Sequence, residues 1–75
     1  MSSSAVIDTI AQILDLSGRL SDTVYEIKHA SSQQGVTAKE EEAKQIMWAL
    51  QALTQNVGRD VKAAVEKRRI ELRNA

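Results

Sequence analysis

Apolar residues recur at alternating steps of three and four along two long segments of the chain. The first row is Val6, Ile10, Ile13, Ser17, Leu20, Val24 and Ile27, and the second is Ala43, Ile46, Leu50, Leu53 and Val57. This spacing places side chains on one stripe of an α-helix, and the heptad repeat is typical of helices that pack along each other. The pattern predicts an all-α protein with two amphipathic helices, at about residues 4–33 and 38–72.

A turn is predicted over residues 31–37, between the two rows. Gly35 can adopt the left-handed backbone with which many helices end. Thr37 followed by Glu40 has the spacing of a capping box, in which both side chains bond to amides at the start of a helix. A turn this short predicts that the second helix folds back along the first as an antiparallel hairpin.

The 75 residues predict a single helical-hairpin domain over residues 1–75. Residues 1–3 are expected to fray. Pairing the rows outward from the turn leaves residues 67–75 without a partner on the first helix, as a basic C-terminal overhang.

Apolar residues beside the two rows are too numerous for a core between only two helices. A two-fold dimer of hairpins, forming a four-helix bundle, is the simplest way to bury them, and stacking into a filament is the alternative. The predicted self-association core comprises Ile10, Ile13, Leu14, Leu16, Leu20, Val24, Ile46, Leu50, Leu53, Val57 and Val61.

Trp48 and Tyr25 lie away from the predicted rows. An outward tryptophan is a candidate anchor for a protein partner, because tryptophan is enriched among residues that dominate binding energy. The two aromatic residues are therefore predicted to form a partner contact. The competing interpretation is that packing between subunits buries Trp48, or that neighbouring Lys and Gln stems cover it.

Composition argues against an enzyme. The chain has ten basic and ten acidic residues, one histidine and no cysteine. It contains no glycine-rich phosphate loop and no sequence context for an activated nucleophile. His29 has only Glu26 as a neighbouring ligand type, whereas a metal site needs three or four ligands. No cofactor and no metal are expected.

The charge is unevenly placed, with six basic and three acidic residues in 57–75. The basic end of the second helix, at Lys67, Arg68, Arg69 and Arg73, supports an alternative function, a small nucleic-acid-binding regulator that contacts phosphates. The main hypothesis is a non-enzymatic interaction module, a structural, adaptor or chaperone-like subunit that forms a homo-oligomer and binds a protein partner. The N-terminal residues show no signal peptide and no membrane span, which predicts a cytoplasmic protein and leaves export without a cleaved signal open.

The segment LSDTVYEI, residues 20–27, resembles part of the first helix of type III secretion needle subunits, which are also small helical hairpins. This resemblance implies a further alternative, a subunit of a secretion or phage-type assembly. In overall plan the predicted dimer is also similar to a small plasmid RNA-binding hairpin that forms a four-helix bundle.

Overall fold

The computed structural model describes residues 3–74, which form two α-helices joined by a short turn. Helix α1 is Ser3–Lys28 and helix α2 is Gln33–Arg73. The prediction of an all-α chain with two helices is confirmed. Of the predicted frayed segment, Met1 and Ser2 lie outside the described residues and Ser3 belongs to α1. Neither helix within residues 3–74 has a stretch apolar enough, over sufficient length, to cross a membrane.

The turn occupies residues 29–32, so its predicted position at residues 31–37 is wrong. Ser32 is the N-cap of α2, with φ −145° and ψ 157°, and its Oγ accepts a hydrogen bond from the Gly35 amide at 3.0 Å. Thr37 lies inside the helix, where its hydroxyl donates to the Gln33 carbonyl at 3.0 Å. Ser32 thus supplies the cap that was predicted for Thr37, five residues earlier.

Gly35 does not end a helix, because no described residue has a positive φ. It is the third residue of α2, directly above the capping serine. A Cβ at this position would come within 3.3 Å of the Ser32 Oγ and 3.7 Å of the Ala30 Cβ. Glycine therefore leaves room for the capping hydroxyl and for the chain entering the helix.

Ser32→Ala is expected to lower the free energy of unfolding by about 1 kcal/mol, because the Gly35 amide loses its partner. Thr37→Ala is the matched control, since the Thr37 hydroxyl only bonds to a carbonyl that the helix already uses. Urea denaturation followed by circular dichroism measures both variants. Equal losses in the two variants would contradict the assignment of Ser32 as the cap.

The two helices pack along each other through one row of partly or fully buried side chains on each, here called the contact rows. The row beginning in α1 is Val6, Thr9, Ile13, Leu16, Leu20, Thr23, Ile27 and Ala30. The row on α2 is Val36, Lys39, Ala43, Ile46, Leu50, Leu53, Val57 and Asp60. Because the chain reverses at residues 29–32, the rows run in opposite order, so Ala30 is level with Val36 and Ile13 with Leu53. An ion pair of 2.6 Å between Glu26 and Lys39 joins the helices near the turn.

The row predicted on α1 differs from the observed one at three positions. Thr9, Leu16 and Thr23 face α2, whereas Ile10 and Val24 are 42% and 40% exposed and Ser17 is exposed. Both threonine hydroxyls donate within α1, from the partly buried Thr9 to the Ala5 carbonyl at 3.0 Å and from the buried Thr23 to the Arg19 carbonyl at 2.9 Å. Each threonine satisfies its hydroxyl locally, and this leaves its methyl group available for packing against α2.

The hairpin buries little of its own surface. Among the described residues only Thr23, Ala43 and Ile46 are buried. The chain measures 64 × 16 × 15 Å and has a radius of gyration of 18.1 Å, compared with about 11 Å for a globular chain of this length. The molecule is a rod two helices wide, and its internal core is narrow.

Helix α2 continues well beyond the start of α1. Every residue from Val61 to Asn74 is exposed. We call the segment Val61–Arg73 the overhang. It begins six residues earlier than predicted, because the earlier turn shifts the pairing of the helices and places Val6 level with Asp60 rather than with Val65.

Candidate self-association face

One broad side of the hairpin is apolar. In an antiparallel helix pair, equivalent flanking positions of the two heptads lie on the same side of the pair. Most of the exposed large apolar side chains occupy one such flank. They are Ile7, Ile10, Leu14 and Val24 on α1, and Met47, Val61, Val65 and Leu72 on α2. We call this surface the apolar face.

The positions between these residues are mostly small or uncharged. Ser17 and Ser21 continue the flank on α1, and Gln51, Thr54 and Gly58 continue it on α2. The Thr54 hydroxyl donates to the Leu50 carbonyl at 2.6 Å, which directs its hydrogen-bonding capacity into the helix. A Cβ at Gly58 would meet nothing within 4 Å. These mostly small side chains leave a surface that another helix can approach closely.

The opposite broad side of the hairpin is charged. On α1 it contains Asp8, Asp15, Arg19, Asp22 and Glu26, and on α2 it contains Glu42, Arg59, Glu66 and Arg73. On the apolar face, by contrast, Lys28, Glu40 and Lys44 lie near the turn and Arg68 lies in the overhang. The hairpin as a whole is therefore amphipathic, which is the surface expected of a protein that packs one side against another molecule.

The structure divides the predicted self-association core into two sets. Seven of its members lie in the contact rows, namely Ile13, Leu16, Leu20, Ile46, Leu50, Leu53 and Val57. Ile10, Leu14, Val24 and Val61 lie on the apolar face. Ile7, Met47, Val65 and Leu72 share that face and were absent from the predicted core. These four residues belong to a second heptad row on the flank of each helix. A search of the sequence for two apolar rows per helix, instead of one, identifies them.

Trp48 and Tyr25 are both 64% exposed. Each lies opposite the contact row of its own helix, so Tyr25 marks one outer edge of the rod and Trp48 marks the other. The Tyr25 ring packs against His29, with ring centroids 4.3 Å apart and planes tilted by 41°. The two aromatic residues therefore do not share one patch on a single hairpin.

The polar groups of the hairpin form surface ion pairs. Hydrogen bonds with Glu26 and then Glu42 raise the pKa of Lys39 above its ordinary value of 10.5. The stabilisation from this pair is present below pH 10.5 and is lost as the pH rises through the higher pKa of the folded state. No cluster of three or more potential metal ligands occurs within residues 3–74. The acidic row at Asp8, Asp15 and Asp22 is spread along α1, with roughly 10 Å between successive members.

The chain matches no known protein-family model, no characterised protein and no solved structure. The apolar face and the overhang are the features of the hairpin that bear on its function.

Proposed function

We propose that this protein is a non-enzymatic interaction module that self-associates through the apolar face, forming a four-helix bundle from two hairpins. Such a bundle serves as a structural or adaptor subunit of a larger assembly. One observation carries the proposal. Of the eleven large hydrophobic side chains that the described part of the chain exposes, eight lie on this face.

The amount of exposed surface supports a partner. The chain exposes 5982 Å², whereas a compact globular chain of 8.3 kDa exposes about 4,600 Å². The excess is larger than the roughly 800 Å² that each partner buries in a protein–protein interface of standard size. A second copy covering the apolar face accounts for an excess of this size.

The narrow internal core also favours association. Most of the stability of a helix in a protein comes from burying its apolar side, and among the described residues only two apolar ones, Ala43 and Ile46, are buried. Chains of this size usually need an additional source of stability, and oligomerisation is one of them. Folding of this hairpin is therefore expected to depend on protein concentration.

Light scattering during size-exclusion chromatography tests the proposal directly. We expect a particle of twice the chain mass at micromolar concentration, and we expect the helical circular dichroism signal to fall on dilution as the dimer dissociates. A monomer at high concentration, with a helical signal that does not change on dilution, would contradict the proposal.

The overhang favours a second candidate function, binding to nucleic-acid phosphates. It carries Lys62, Lys67, Arg68, Arg69 and Arg73 against only two acidic residues, and every one of its positions is exposed. Arg68 lies 3.1 Å from Glu71. A fluorescence titration with duplex DNA and with RNA tests this candidate, since phosphate contacts predict an affinity that falls steeply with salt. Absence of binding at low salt would eliminate it.

A further inference from the structure

We propose that the second copy lies antiparallel to the first, so that the overhang of each subunit packs across the turn end of the other. This inference rests on the self-association proposed above and adds the orientation of the partner. In this arrangement α2 lies against α2 of the partner subunit and α1 against α1, related by one two-fold axis. Three features of the described residues support it.

The first feature is a symmetry of the apolar face about Thr54. Met47 and Val61 each lie seven residues from Thr54, one on either side, and Glu40 and Arg68 each lie fourteen residues from it. If Thr54 lies on the two-fold axis, Val61 faces Met47 of the partner subunit and Arg68 faces Glu40 of the partner subunit. One alignment thus pairs apolar with apolar and positive with negative.

The second feature is a symmetry on α1 at the same level of the rod. Ile10 and Leu14 each lie two residues from position 12, so a two-fold axis at that level packs Ile10 against Leu14 of the partner subunit. Ile13 is level with Leu53 in the hairpin, which places position 12 level with Thr54. The residue pairings on α1 and on α2 therefore place the two-fold axis at the same level of the rod, although the two sequences are unrelated.

The third feature is the length of the overhang. An axis at Thr54 sets residues 35–73 of α2 against the same residues of the partner subunit, so the overhang spans the partner's turn end instead of projecting into solvent. At the same level of the rod, α1 carries a shallow groove lined by Ser17, Leu20, Ser21, Val24, Tyr25 and Lys28. The apolar side of the overhang, at Val61, Val65 and Leu72, is about 17 Å long and covers this end of the apolar face.

The parallel arrangement of the same two faces is less favourable. It brings both overhangs to the same end of the rod, and each carries five basic and two acidic residues. Like charges repel there, and the overhangs extend beyond the start of the partner's α1. In the antiparallel arrangement Arg68 of each overhang instead meets Glu40 of the partner subunit.

The proposed ion pair requires only a modest rearrangement. Within one hairpin Glu40 lies 3.4 Å from Lys44 and Arg68 lies 3.1 Å from Glu71. Both are exposed pairs along a single helix, and such pairs contribute little to stability. Exchanging them for a pair between subunits costs little, and the pair between subunits is partly shielded from water.

Single-cysteine variants test the orientation, because the chain has no cysteine of its own. Full-length Glu40→Cys and Arg68→Cys are mixed, allowed to exchange subunits and treated with a short bismaleimide. We expect about tenfold more crosslinked dimer in the mixture than in either variant alone, since the bound partner holds the two thiols at high effective concentration. In Arg68→Cys alone, the antiparallel dimer separates the two thiols by about 40 Å.

Two measurements separate failure of the orientation from failure of the association. Thr54→Cys leaves both charged residues in place and is expected to form a disulfide with itself on the two-fold axis. Light scattering on every variant shows whether the dimer is intact. Efficient crosslinking of Arg68→Cys with itself in an intact dimer would overturn the antiparallel arrangement, while the proposed self-association would stand. Monomers without crosslinks would overturn both.

Discussion

Leu14→Asp is expected to raise the dimer dissociation constant by a factor on the order of a thousand. Leu14 is 68% exposed in the hairpin, so the substitution removes little from the contact between α1 and α2. In the proposed dimer the leucine is buried twice, once in each subunit. Burial of one leucine contributes about 2 kcal/mol, and roughly 4 kcal/mol for the pair corresponds to about three orders of magnitude in the dissociation constant. Desolvating two aspartates adds to the loss.

Ala11→Asp is the matched control for this experiment. Ala11 is exposed on the same helix, and it lies on the outer edge of the rod, opposite the contact row. The Ala11→Asp substitution introduces the same charge in the same part of α1 and leaves the apolar face unchanged. Sedimentation equilibrium over a range of concentrations measures both variants. The proposal fails if Leu14→Asp and Ala11→Asp give the same distribution between monomer and dimer.

The sequence predicts the existence and type of both helices because the apolar periodicity is long and regular. The contact row of α2 is recovered for the same reason, since Ala43, Ile46, Leu50, Leu53 and Val57 have no competing row of comparable hydrophobicity. A repeat that continues over several heptads identifies the buried row even where a single position is ambiguous. The part of the fold that depends on one long stripe is therefore the part that sequence reasoning recovers.

The contact row of α1 could not be chosen from hydrophobicity alone. Two candidate rows on α1 have the same spacing, one with Ile10, Ser17 and Val24 and the other with Thr9, Leu16 and Thr23. The first row is no more polar than the second, so hydrophobicity does not select the observed row. The choice depends on the Thr23 hydroxyl, which bonds to the Arg19 carbonyl and becomes compatible with burial. This hydrogen bond exists only once the helix has formed, so the spacing of residues in the sequence does not indicate it.

The turn shows a similar ambiguity. Ser32 and Thr37 both provide a capping hydroxyl, and Gly35 lies between them. With glycine read as the end of the first helix, Thr37 becomes the cap. In the structure Gly35 lies inside the first turn of α2, where a Cβ would crowd the Ser32 side chain. The resulting shift of five residues in the pairing explains why the overhang is longer than predicted.

The two corrections together change the functional interpretation. Moving Ile10 and Val24 out of the contact row transfers them to the flank, where they join Leu14 and Met47 on one surface. Lengthening the overhang adds Val61 and Val65 to the same surface. A set of residues predicted as one core is therefore two layers, one within the hairpin and one available to a partner.

Ile46→Ala is expected to lower the melting temperature by roughly 15 °C, whereas Trp48→Ala is expected to change it by only a few degrees. Ile46 is 5% exposed and lies in the contact row, while Trp48 is 64% exposed on an outer edge. Truncating a buried isoleucine costs about 2–5 kcal/mol, and in a domain of this size 1 kcal/mol shifts the melting temperature by roughly 4–8 °C. Residue size alone predicts the opposite order, because tryptophan loses more atoms than isoleucine.

Thermal unfolding by circular dichroism, at one fixed protein concentration, compares these two variants. Fixing the concentration matters because the melting temperature of a dimer depends on it. Trp48→Ala also tests the aromatic partner contact, since a self-association that uses Trp48 would lose affinity in this variant and its melting temperature would fall as far as that of Ile46→Ala. That outcome would move the subunit interface from the apolar face to the outer edge of α2. A loss confined to Ile46→Ala places the stability of the hairpin in its contact rows and leaves the apolar face as the surface through which two hairpins meet.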